Sequence, residues 1–130
     1  MYKVEHSEEW FKQAYYDIAS AKAMFDSGKY IYCVFMCHLS IEKALKALYM
    51  KVLEENPPKT HSLVYLAHRT KLKLPLQFRE FLESLDEVSV PTRYPDELDK
   101  LLKDYGKNKT RNIFVKTKEA LSWIEKELEK

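Results

Sequence analysis

The stretch KYIYCVFMCHLSIEKALKALYMKVL (29–53) decides how this chain folds. Apolar or small residues fall on every side of a helix drawn through it: Ile31, Val34, Phe35, Ile41, Ala44, Leu45, Leu48 and Val52. A helix that is apolar all round is a buried one, so this segment belongs at the centre of the molecule. One polar row interrupts it. His38, Glu42 and Lys46 stand four residues apart and stack along a single helix edge. A charge in such surroundings must be paired or must face a cleft, because burying it alone is very costly.

On the amino-terminal side, the spacing predicts a helix from Ser7, a good N-cap, to Ser27. Its buried stripe is Trp10, Ala14, Ile18, Ala21 and Phe25, at alternating intervals of three and four. Gly28 ends it, and so short a turn makes the central helix fold back antiparallel. The central helix runs on to Glu55 and stops at Asn56-Pro57-Pro58. A short helix follows, capped by Thr60 and burying Leu63, Leu66 and Ala67. Pro75 opens the next, which carries the stripe Phe78, Phe81, Leu82, Leu85 and Val88. Two prolines in VPTRYPDE (90–97) break the helical pattern, and a helical turn through Leu98, Leu101 and Leu102 comes after. The last helix, from Lys109, sets Phe114, Thr117, Leu121, Ile124 and Leu128 on one face. No strand alternation appears. The expected architecture is all-α: one domain over residues 1–130, an antiparallel up-and-down bundle of four main helices with one or two short extra ones.

Composition narrows the function. No apolar run is long enough to span a membrane, and MYKVEHSEEW is too polar for a signal peptide, so a cytoplasmic location is expected. The surplus of apolar surface on the central helix suggests an interface with a second copy, by default a two-fold homodimer. Cys33 and Cys37 read as buried structural thiols, and neither a metal nor a cofactor is expected. The net charge is only +2, but its layout is uneven. Five Lys/Arg and no acid lie between 56 and 79, seven acids and Arg93 between 80 and 99, and seven Lys/Arg with Asp104 between 100 and 118. Such blocks suit either a solvated surface or a phosphate-binding one.

Three places could carry chemistry. The His38–Glu42–Lys46 row is either a local Glu–Lys pair, worth about 0.2–0.5 kcal/mol, or a carboxylate and ammonium positioned in a cleft with a histidine as proton carrier. Thr60-His61-Ser62-Leu63 is either a capping motif or a helix end whose N–H groups hold an anion near His61. Pro91-Thr92-Arg93-Tyr94-Pro95-Asp96 holds an arginine suited to bidentate phosphate contacts beside a tyrosine able to stack on a base. With two glycines in the chain, a phosphate-cradling glycine loop is excluded.

Taken in order, the helix bearing Trp10 and AYYDIASAKAMFDSGKY, then CVFMCHLSIEKALKALYM, THSL at 60–63 and RYPD at 93–96 resemble the HEPN domain family. That resemblance implies a helical bundle that dimerises with a cleft between protomers. It also implies a small nucleotidyltransferase as companion, often in a toxin–antitoxin pair. Some relatives are ribonucleases marked by an arginine followed four to six residues later by a histidine; here no histidine follows any arginine at that distance. The expectation is therefore a binding subunit for a nucleotide or RNA, with no catalytic residue assigned. Its ligand-binding residues would be Arg93, Tyr94, Lys46, Glu42 and His61. The alternatives are a ribonuclease using His38 or His61, and a purely structural interaction module.

Overall fold

The computed structural model describes residues 4–93 and 98–130, with side chains from 6 to 88 and from 98 onward. Six helices follow one another: α1 (Val4–Asp26), α2 (Tyr30–Leu53), α3 (Leu63–Arg69), α4 (Leu76–Arg93), α5 (Leu98–Asp104) and α6 (Lys107–Leu128). Among the described residues there is no strand. The bundle is formed by α1, α2, α4 and α6, with α3 and α5 as the short additions, and α2 at its centre touches all five others.

The α1–α2 hairpin is set by one turn. Gly28, at φ +75, lets the N–H of Lys29 reach the carbonyl of Met24 (2.8 Å) and its own N–H reach that of Phe25 (3.0 Å). This is the Schellman closure that glycine permits without strain. The two helices then approach closely over small residues, Ala14, Ala21, Ala44 and Ala47, all buried. Hydroxyls stitch them reciprocally: Ser40 Oγ donates to the carbonyl of Ala14 and Ser7 Oγ to that of Ala47, both at 2.8 Å.

Several expected boundaries move. Ser7 does not cap α1; it lies one turn inside, buried, and serves the hairpin instead. The buried seam of α1 is accordingly Ser7, Phe11, Ala14, Ile18 and Ala21, while Trp10 and Phe25 are only half-buried at its edges. The central helix ends at Leu53, where Glu54 turns left-handed (φ 53). Ser62, not Thr60, caps α3 by accepting from the N–H of Tyr65, and Thr60 Oγ1 instead accepts from the N–H of Ser62. Helix α4 continues through Pro91 to Arg93, since a proline in a final turn removes one hydrogen bond without barring the residues just after it. The last helix begins at Lys107, with Gly106 as its N-cap.

Most of the apolar surface of α2 is covered within the chain. Fifteen of its 24 residues are buried by the chain's own helices. Tyr32 and Val52 are its exposed large side chains. No helix among the described residues is long and apolar enough to cross a membrane.

Candidate functional site

The polar row of α2 is both buried and paired. His38 is sealed completely, and Glu42 and Lys46 are 5% and 7% exposed. Lys46 Nζ donates to Glu42 Oε2 at 3.0 Å, and His61 Nδ1 donates to Glu42 Oε1 at 2.9 Å. His38 Nδ1 stands 3.8 Å from the same oxygen, and its Nε2 donates to Asp86 Oδ1 at 3.2 Å. The buried carboxylate of Glu42 therefore has partners on both oxygens, as burial of so polar a group requires.

Asp86, on α4, closes the inner end of the network. Its Oδ1 accepts from the N–H of Leu63 (2.9 Å) and its Oδ2 from the N–H of Val64 (3.1 Å). Ser62 Oγ lies 3.4 Å from Oδ2. Burial pushes the Asp86 carboxyl up, but the hydrogen bonds from His38, Leu63 and Val64 outweigh it and hold the group below the usual carboxylate range. The anion expected at the THSL helix end is thus the chain's own Asp86, and His61 turns instead toward Glu42. Asp86 is legible in the sequence only as an acid set among Leu82, Leu85 and Val88 on an apolar stripe.

The outer end of the row reaches solvent. His61 has a side chain 62% exposed. Its Nδ1 is fixed by Glu42, and its Nε2 has no partner among the described residues. Lys46 Nζ lies 5.7 Å from the centre of the half-buried Trp10 ring. Trp10 in turn lines a hollow of about 330 Å³ with His6, Glu9, Gln13 and Met50. Periodicity assigns Trp10 to the core, which hides its second role as a wall.

Of the expected ligand-binding residues, Glu42, Lys46 and His61 come together in this network. Arg93 is the last residue of α4, with its side chain outside the described residues, and Tyr94 lies outside them altogether. Cys33 and Cys37 are fully buried. Among the described residues no group of three or more His, Cys, Asp or Glu side chains is arranged to hold a metal ion. The carboxy-terminal basic block sits partly on rings: Lys109 over Tyr105, Arg111 over Phe25 and Lys118 over Phe114.

Compared with known proteins, residues 7–128 match the model of the HEPN domain. Two solved structures share the fold. TT1696 from Thermus thermophilus superposes with a TM-score of 0.80 at 22% identity, covering 92% of this chain and 96% of that one. ST0689, an archaeal HEPN homologue, gives 0.76 at 24% identity, covering 98% and 99%. No curated protein matches the chain.

Proposed function

The chain belongs to the HEPN domain family, and on that premise we propose that it is a homodimeric binding subunit for a nucleotide or RNA. It would work beside a small nucleotidyltransferase in a toxin–antitoxin-like pair. The observation that carries the reading is the Lys46–Glu42–His61 row, in which a buried acid holds one cation beside Trp10 and aims an exposed imidazole at solvent. In its protonated form His61 offers Nε2–H to a phosphate oxygen, a charge-assisted bond of the stronger kind. Arg93 supplies the bidentate phosphate contact and Tyr94 a stacking surface. Pairing with a nucleotidyltransferase, and the dimer itself, rest on the family alone.

The test is calorimetric titration of mononucleotides into the wild type, Arg93→Ala and His61→Ala. Each substitution is expected to weaken binding about tenfold or more, the worth of one hydrogen bond to a charged group. Equal binding by all three proteins, or by none, overturns the reading.

A ribonuclease is the second reading, and one observation favours it. An imidazole held by a carboxylate at Nδ1 with its Nε2 exposed has the form of a general acid or base. Of the two histidines, His61 is the better placed for it, since His38 is sealed from solvent. RNA cleavage by the purified protein that vanishes in His61→Ala would replace the binding reading with this one.

A further inference from the structure

The hollow at the amino-terminal end of α1 has a chemistry of its own. At about 330 Å³ it lies at the small end of ligand sites, with room for one flat ring system. Its apolar lining is Trp10 and Met50, an indole and a polarisable thioether, both suited to a π-surface. Its rim carries His6, Glu9 and Gln13. Gln13 Nε2 is 3.5 Å from Glu9 Oε1, so the amide leans on the acid. At 3.5 Å that contact is long and leaves a lone pair on Oε1, so both carboxylate oxygens and the Gln13 carbonyl remain as acceptors, and among the described residues neither Glu9 nor Gln13 has a further partner.

A rim rich in acceptors selects a ring that presents adjacent donors. Guanine offers N1–H and the 2-amino group side by side, and one carboxylate can accept both. Adenine sets its exocyclic amine beside an N1 acceptor, which a carboxylate repels. Lys46, 5.7 Å from the Trp10 ring centre, ties this hollow to Glu42 and His61.

We infer that the Trp10 hollow is a base subsite, taking guanine stacked on the indole with its N1–H and 2-amino group on Glu9. The inference rests on the nucleotide-binding reading above, and nucleosides, which carry no phosphate, separate the two. In a Trp123→Phe background the emission of Trp10 reports the hollow alone. Guanosine is expected to perturb it saturably, and inosine, lacking the 2-amino group, and adenosine to bind about tenfold more weakly. Substituting the exposed rim residue, Glu9→Gln, brings guanosine down to the level of inosine without touching the fold. Trp10→Phe, which keeps the packing, weakens all three nucleosides in calorimetry.

An unperturbed Trp10 emission, three nucleosides that saturate alike, or a Glu9→Gln variant that binds guanosine as before overturns the subsite. Guanosine monophosphate binding no better than guanosine, and indifferent to His61→Ala, overturns the phosphate reading and leaves the subsite standing. The monophosphate binding through His61 with Trp10 emission unchanged does the reverse.

Discussion

His38 and His61 approach the same oxygen of Glu42, yet one is sealed in the core and the other is 62% exposed. The inner histidine spends its Nε2 on Asp86 and through it on the amino terminus of α3, so that end of the row joins α2, α3 and α4. The outer histidine keeps its Nε2 for solvent. One i, i+4 row on one helix thus does two kinds of work. What separates them is burial, which fixes whether a polar group is needed by the fold or is available to a ligand.

The comparison breaks first if the inner end proves dispensable. His38→Ala removes a fully buried ring and the hydrogen bond to Asp86. Loss of packing and of a charge-assisted bond predicts destabilisation of about 3–4 kcal/mol in urea unfolding. Asp86→Ala comes next. It strips the N–H groups of Leu63 and Val64 of their acceptor, but water can reach that helix end, so about 2–3 kcal/mol is expected. A value under about 1 kcal/mol for either would mean that the inner network is incidental to the fold.

Acid gives an independent measure of the same end. The folded carboxyl of Asp86 is held below its ordinary value of 3.8. A depressed carboxylate adds stability that is present above the unfolded value and lost as pH falls through the folded one. Between neutral pH and about pH 2, the urea midpoint of the wild type is therefore expected to fall more steeply than that of Asp86→Asn. Parallel curves would remove Asp86 as a source of acid sensitivity.

These partners explain what the sequence could and could not convey. The helices were legible because their cause is local: the all-round apolar 29–53 segment, the Gly28 turn, the stripe of α4. The pairing of Glu42 with Lys46 was legible too, since four-residue spacing fixes it. Asp86 was not, because it reaches α3 across 23 residues and nothing nearby marks it as a cap. The role of Ser7 was hidden for the same reason: a serine near a helix start reads as an N-cap, whereas its partner is the carbonyl of Ala47, 40 residues on. The surplus on α2 could not be apportioned either, since a one-dimensional pattern cannot tell a helix enclosed by its own chain from one that also meets a second.

A smaller effect sharpens the contrast from the hairpin side. Ser40→Ala removes a buried hydroxyl and its bond to the carbonyl of Ala14, which still accepts within its own helix. About 1 kcal/mol is expected in urea unfolding, an ordinary neutral hydrogen bond and well short of the charged inner network. A cost as large as that of His38→Ala would shift the weight of the fold from the row to the hairpin seam.

The smallest expected effect is the most discriminating. His61→Ala deletes an exposed ring, so its direct cost to stability should be within about 0.5 kcal/mol, the range of ordinary surface changes. The exception would be Glu42, which loses one of its partners and keeps Lys46 at 3.0 Å. If Glu42 depends on the His61 bond for its place in the interior, the substitution costs about 2 kcal/mol or more, as the loss of a hydrogen bond to a buried carboxylate can, and His61 belongs with His38 as part of the fold. If stability holds while nucleotide binding falls about tenfold, the row divides at Glu42. Everything inward of that carboxylate then serves the bundle, and everything outward serves a ligand.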